Sequence, residues 1–425
     1  MTALEWNNYI ATEAFLEAVR PLYVDEQLLP EQRARYTKTL EEFVALYGDG
    51  ELEFYSAPGR SEVGGNHTDH QRGRVLACSL NLDVIAVVRK RTDGMIRVKS
   101  EGYPEDTVDL KVLEPVPEEE GSSRALIRGV AAALREKGYG IGGFDAYTTS
   151  NVLQGSGMSS SAAFEVLLGT ILSGLYNDGA ISPVEVAKAS QVAENRFFGK
   201  PSGLLDQMAC AVGNLVTIDF ADPEDPKVRK VEADFASFGH SLCITDTKGS
   251  HADLTTDYAA VPAEMKQVAA YFGKEVLREV DEELFRLELP KVRAAVGDRP
   301  VLRAIHWFEE TKRAGAEEAA LEIGDFDSFL NLVRASGDSS YKYLQNVYSA
   351  RHPERQEVPL ALAVSDLVLG KKGAFRVHGG GFAGTIQAFV PEEKVNHYRR
   401  KMDELFGEGS CHILYVRPVG GVKIG

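Results

Sequence analysis

Residues 155–163 read Gly-Ser-Gly-Met-Ser-Ser-Ser-Ala-Ala and run directly into the apolar stretch from Phe164 to Leu168. Glycines let a backbone approach a ligand closely. The free N–H groups that open a helix point at whatever lies there, and the helix dipole favours negative charge. Small residues opening a helix therefore make a phosphate cradle. The plain alternative is a flexible Gly/Ser linker, but a linker does not run into Phe164, Leu167, Leu168 and Ile171 at helical spacing. No Lys-Ser or Lys-Thr follows a Gly-x-x-x-x-Gly, so this is not a Walker A loop. Backbone N–H groups and the hydroxyls of Ser159, Ser160 and Ser161 are left to hold the anion, and one hydroxyl can reach a magnesium ion.

Regular elements flank this loop. Residues 144–149 read as a strand feeding it, and 122–137 as an amphipathic helix. Ser182-Pro183-Val184-Glu185 is a helix start with an N-cap, a proline at the first helical position and a capping-box Glu. That helix runs to about Phe198 and stops at Gly199. Upstream, 9–47 is helical and 53–60 is a short strand broken at Pro58-Gly59. The stretch 61–74 is a polar loop, 75–88 a buried strand pair and 95–98 a strand. Downstream, 214–220 reads as a strand, and the polar segment 221–240 as a domain boundary. Then come a strand at 241–246, helices across 257–347 and 357–369, and strands in 375–390 and 412–416. Strands and helices mingle without a strict βαβ period, which predicts α+β rather than a doubly wound sheet.

Composition bounds the function. The chain has 425 residues, 44% hydrophobic and 26% charged, as in globular proteins, and long enough for two domains. A net charge of −16 argues against nucleic acid and against anionic membranes as partners. Four scattered cysteines without a Cys-x-x-Cys pair read as reduced, buried thiols of a cytoplasmic protein. The N-terminus has no basic-then-apolar signal, and no segment approaches the length of a membrane span.

Three further motifs carry chemistry. Arg60, then Gly64-Gly65-Asn66-His67-Thr68-Asp69-His70, is dense in short hydrogen-bonding groups that suit a polyhydroxylated substrate. A metal site from His67, Asp69 and His70, or a structural turn, are its other readings. Gly203-Leu-Leu-Asp206-Gln207 sets an acid among apolar neighbours at a loop-to-helix junction, where a carboxylate can be tuned for catalysis or can simply cap the helix. Arg376-Val-His-Gly-Gly-Gly-Phe-Ala-Gly384 puts three glycines between strand-like runs, which allows another backbone or a ligand to come close. An esterase oxyanion loop would need a Gly-x-Ser-x-Gly elbow, and Ser156 and Ser159 lie in the wrong glycine frame.

In this order the motifs resemble the galactokinases of the GHMP sugar and metabolite kinase superfamily, over roughly residues 50–390. Residues 59–70 look like the signature Gly-Arg-Val-Asn-Leu-Ile-Gly-Glu-His-Thr-Asp-Tyr, residues 155–162 like the ATP phosphate loop, and 203–207 like Gly-Ile-Met-Asp-Gln. Residues 376–384 look like the C-terminal glycine motif, with weaker matches at Ala193-Glu194-Asn195 and Arg303-Ala-Ile-His306. The resemblance implies a two-domain GHMP kinase fold, with an S5-like N-terminal domain over 1–235 and a ferredoxin-like C-terminal domain over 236–425. It implies an ATP-dependent sugar 1-kinase acting on galactose, with sugar and ATP as its partners and a monomer or weak homo-oligomer as its state.

Site roles follow from the same resemblance. Asp206 matches the catalytic aspartate at the anomeric hydroxyl, and Arg60 matches the arginine that keeps it ionised. Asn66, His67, Asp69, Gly203 and Tyr258 match sugar contacts. Gly155, Ser156, Gly157, Met158, Ser159, Ser160 and Ser161 match the ATP loop, and Ser161 and Glu194 match magnesium ligands. The chain departs at Asn66, where the family has Glu near the sugar's C6 hydroxyl, and at His70, Leu153 and Ala383. An Asn there would tolerate a C6 carboxylate, so a galacturonate 1-kinase is the alternative reading. A non-catalytic sugar sensor on the same scaffold is another.

Overall fold

The computed structural model describes residues 1–152, 158–200, 202–223, 225–250 and 253–425. The chain opens with α1 (Ala3–Ile10), α2 (Glu13–Tyr23) and α3 (Leu29–Tyr47), followed by β1 (Glu53–Gly64), β2 (Arg74–Lys90), β3 (Met95–Ser100) and β4 (Glu105–Asp109). Next come α4 (Ser123–Glu136), β5 (Phe144–Ser150), α5 (Ser160–Asn177), α6 (Pro183–Val192), α7 (Leu205–Val212), β6 (Leu215–Asp219) and β7 (Lys227–Val231). Together with the last strand, β12 (Val422–Ile424), these make one sheet in the order β12-β1-β2-β5-β3-β4, with β6 and β7 continuing from β2.

The second half begins with β8 (His240–Asp246) and the helices α8 (Thr255–Tyr271), α9 (Glu282–Val296), α10 (Asp298–Glu322), α11 (Phe326–Ser339) and α12 (Glu357–Leu369). It ends with β9 (Ala374–Val377), β10 (Thr385–Pro391), α13 (Val395–Phe406), β11 (Cys411–Leu414) and β12 (Val422–Ile424). Strands β8 to β11 form an antiparallel sheet in the order β11-β8-β10-β9. Counted within that half, the order is fourth, first, third, second, the ferredoxin-like arrangement. The fold is thus α+β.

Three expectations are corrected. Pro58-Gly59 does not end β1: pairing with β2 continues to Gly64 through irregularities at Pro58/Arg60 and Glu62/Gly64. Residues 75–88 are not a strand pair but part of one long strand, whose start pairs with β6 and whose end pairs with β5. Finally, β12 crosses the division at 235/236 and pairs with β1 through Phe54, Tyr55 and Ser56. Without it the outer edge of β1 would expose unpaired backbone groups. One apolar core also runs across that division, from Tyr55 and Val166 to Phe329, Phe389 and Leu414.

The helix starts follow local chemistry. Ser182 accepts from the Glu185 N–H at 3.3 Å, as an N-cap should. The expected helix to Phe198 is α6 continued by a π-helical turn over Ala193–Phe198, and Gly199 at φ 85° ends it. Among the described residues no helix is long and apolar enough to cross a membrane.

Candidate active site

β1 delivers Arg60 to the start of α5. A Cβ at Gly59 would lie 3.0 Å from Val152 and 3.1 Å from the Met158 carbonyl, so a glycine lets the strand pass here. The Arg60 N–H then donates to that carbonyl at 3.2 Å. The first turn of α7 presents Asp206. Its carboxylate meets Arg60 in a two-point contact: Nε donates to Oδ1 at 2.7 Å, and Nη2 lies 2.7 Å from Oδ2. Ser159, in the left-handed region at φ 52°, donates its hydroxyl to the same Oδ2. Asp206 does not cap α7; the N-cap position is Leu204, without a side-chain bond. The three motifs quoted from 60, 159 and 206 therefore close on one carboxylate.

The electrostatics are decided by Arg60. Burial of Asp206 works against its charge, but the Arg60 guanidinium and the Ser159 hydroxyl outweigh it and hold the carboxyl below the usual range. Burial likewise works against Arg60, and Asp206 outweighs it.

Asp69 lies beside this pair. A Cβ at Gly203 would sit 2.3 Å from Asp69 Oδ2, so a side chain there would displace that carboxylate. No cation pairs with Asp69 among the described residues, and burial, followed by the charge of Glu62, pushes its carboxyl up to about 6. His67, at φ 57°, places Nε2 3.0 Å from the Gly380 carbonyl. Tyr258 donates to the Gly381 carbonyl at 2.8 Å, and its ring packs so closely on Gly380 that a Cβ would lie 2.7 Å away. The three-glycine turn is thus approached by backbone-seeking side chains from both halves of the chain.

Two expected site residues behave differently. Asn66 is fully buried and its amide is spent inside the protein. Nδ2 donates to Glu62 Oε1 and to the Gly379 carbonyl, both at 2.8 Å, and Oδ1 accepts from Asn346 at 2.9 Å. With its amide bonded on all sides within the protein, Asn66 presents no free group to a C6 carboxylate. Met158 is also fully buried, in the apolar core, and its carbonyl is used by Arg60. Ser160 and Ser161 open α5, both half-buried. Gly155, Ser156 and Gly157, together with Leu153, lie outside the described residues.

A second acidic pocket adjoins Asp206. Glu194 Oε1 is 2.7 Å from Lys200 Nζ, and Gln207 Nε2 donates to Glu194 Oε2 at 2.7 Å and to Glu165 Oε2 at 3.1 Å. Glu165 is fully buried with Oε1 unpartnered among the described residues, and burial, reinforced by Glu194, drives its carboxyl well above the usual range. In the sequence, Gln207 stands out only as part of the 203–207 motif, and neither Glu165 nor Lys200 is singled out, although an acid at Glu165 within the apolar face of α5 is a signal.

Residues 125–214 match the GHMP kinases N terminal domain, and residues 41–90 match the galactokinase galactose-binding signature. A galactokinase of Streptomyces coelicolor is 32% identical over 369 residues, 86% of this chain and 92% of its own. One from Actinobacillus pleuropneumoniae is 30% identical over 362 residues, 85% and 91% of the two chains. In structure, the galactokinase of Lactococcus lactis complexed with galactose superposes with a TM-score of 0.78 at 24% identity, covering 92% of this chain and all of that one. The mevalonate kinase of Methanococcus jannaschii gives 0.61 at 15% identity, over 86% and 99% of the chains. The chain belongs to the galactokinase family of the GHMP kinases.

Proposed function

We propose that this protein transfers the γ-phosphoryl group of ATP to the anomeric hydroxyl of galactose, giving galactose 1-phosphate and ADP. The observation that carries the reading is the two-point Arg60–Asp206 pair bound by Ser159 at the mouth of α5. Phosphoryl transfer needs alignment and charge neutralisation more than covalent help. A carboxylate held ionised by Arg60 is ready to accept or orient the proton of an attacking hydroxyl. The same guanidinium can steady charge on the moving phosphoryl. Asp69, without a cation among the described residues, offers acceptor oxygens to sugar hydroxyls, and His67, Gly203 and Tyr258 shape the cleft around it.

In this reading the nucleotide phosphates lie at the start of α5, with residues 155–161 as the proposed ATP loop. Magnesium fits the donor set: Glu194 and the Ser161 hydroxyl are hard oxygen donors. Among the described residues no three His, Cys, Asp or Glu side chains form a metal cage, which suits an ion held largely by phosphate oxygens and water. When bound, it would neutralise charge on the phosphates. Lys200 on Glu194 occupies that carboxylate in the described state.

A coupled ADP-release assay over a panel of hexoses and hexuronates tests the reading. Galactose should give the highest kcat/KM. Absence of turnover with every sugar would sink it.

A further inference from the structure

Beyond the irregularity at Pro58/Arg60, β1 becomes the seam between the two sheets. Ser61 Oγ lies 3.0 Å from His378 Nε2, and Gln387 donates to Ser61 Oγ at 2.8 Å and to the Glu62 carbonyl at 3.0 Å. Arg376 has no exposed surface. It donates to the Val63 carbonyl at 2.8 Å and pairs with the Glu62 carboxylate through Nη2. The oxygen that meets Arg376, Glu62 Oε1, also accepts from Asn66 Nδ2. From Asn66 the network divides. Its amide reaches the Gly379 carbonyl, and Asn346, which bonds Asn66 Oδ1, also donates to the Gly380 carbonyl at 3.2 Å. The Asn66 main chain is pinned as well, with its carbonyl 2.9 Å from His306 Nε2 and its N–H on Glu310 at 3.3 Å.

One carboxylate oxygen thus joins the C-terminal sheet, the loop that carries His67 and Asp69, and the three-glycine turn that Tyr258 touches. We propose that Glu62 is the positioning residue of the sugar half of the site: through Asn66 it sets the 66–69 loop against the glycine turn, so that His67 and Asp69 face the Arg60–Asp206 pair. This inference rests on the sugar-kinase reading above.

Glu62 and Asn66 lie four residues apart and hydrogen-bond each other. Exchanging either one alone breaks the contact. Asn66→Glu sets a second carboxylate against Glu62, on a face that already buries Glu310 and Glu317. Glu62→Asn shortens the acid away and leaves the buried Arg376 charge without its counter-ion. Made together, the two changes restore one acid and one amide.

The test measures kcat, KM for galactose, KM for ATP and Tm in wild type, Asn66→Glu, Glu62→Asn and the double variant Glu62→Asn/Asn66→Glu. Each single change should raise KM for galactose at least 30-fold and leave KM for ATP within twofold. The double variant should return to within fivefold of wild type. A double variant no better than the worse single, or KM for ATP rising in step with KM for galactose, overturns the proposal. Glu62→Gln keeps an acceptor oxygen without the charge. It should raise KM for galactose several-fold, and it carries the test together with the double variant where a single variant does not fold. Galactose binding by titration calorimetry gives the same ratios without turnover. Wild type that binds galactose but does not phosphorylate it overturns the kinase reading alone, and wild type that does not bind it overturns both.

Discussion

Asp206 and Asp69 feel each other's charge in one cleft, yet the chain surrounds them differently. Asp206 has a guanidinium on both oxygens and a hydroxyl besides, and is held below the usual carboxylate range. Asp69 has no cation among the described residues, and burial raises it to about 6. The contrast separates two tasks. On the proposed reaction, a carboxylate that must stay ionised and aimed during phosphoryl transfer is completed by the protein, and one proposed to meet sugar hydroxyls is left for the substrate to complete, at a cost to the free enzyme.

The strongest way to break this comparison is to remove the charge of Asp206. Asp206→Asn keeps the shape but neither accepts a proton nor balances Arg60. It should lower kcat by about 10³-fold or more, while KM for galactose moves a few-fold. ADP release under saturating sugar measures it. Near-full kcat would remove Asp206 from the chemistry.

Asp69→Asn should do the reverse: KM for galactose up by about 30–100-fold, kcat within about fivefold, since the proposed hydrogen bonds from the sugar to a charged group are weakened. Gly203→Ala, whose Cβ would fall 2.3 Å from Asp69 Oδ2, should mimic it. A Gly203→Ala enzyme with unchanged KM would show that the Asp69 position does not matter.

The same carboxyl sets a pH signature. As pH falls through about 6, Asp69 takes a proton and loses acceptor capacity, so KM for galactose should rise up to about tenfold per pH unit below that point. Asp206, held low, stays ionised there, so kcat should stay flat in that window. In Asp69→Asn the rise in KM should vanish. Stability runs the other way. A carboxyl raised from 3.8 to about 6 in the folded state favours folding while protonated, and that contribution is lost as pH rises through about 6. Asp69→Asn should therefore stabilise the free protein by about 1–3 kcal/mol at pH 8 and by almost nothing at pH 4. Tm measured across that range tests it, and an Asn variant less stable at pH 8 would contradict it.

The two aspartates also differ in how far the sequence reveals them. Asp206, Arg60 and Ser159 each sit in a local motif, and the family resemblance of those motifs implies that Arg60 meets Asp206, while the Ser159 contact emerges only in the structure. The surroundings of Asp69 are not local. Whether Asn66 faces the sugar or the protein depends on Asn346 and Gly379, some 280 and 313 residues away. A spacing argument cannot see such partners. The same limit explains the strands. Pro58-Gly59 reads as a break because both residues weaken a ladder, but pairing of β1 with β2 and a local irregularity carry the strand through. At Val422–Ile424 the three-residue strand is too short for any alternation to register, and only the open edge of β1 recruits it.

The smallest effect belongs to Ser159, and it decides whether the hydroxyl serves Asp206 or the helix. Ser159 occupies the N-cap position of α5 but makes no capping bond; its hydroxyl goes to Asp206 instead. Capping serines lose about 1 kcal/mol of stability when changed to Ala. Ser159→Ala should lose little, because no helix N–H depends on the hydroxyl. The loss should appear in the reaction: one of three hydrogen bonds to the carboxylate goes while the two-point Arg60 contact stays, about 1 kcal/mol, or roughly fivefold in kcat. A variant with unchanged Tm and a severalfold lower kcat fits a residue spent on aiming Asp206. A lower Tm with unchanged kcat would return Ser159 to the helix and leave Arg60 as the sole holder of the catalytic carboxylate.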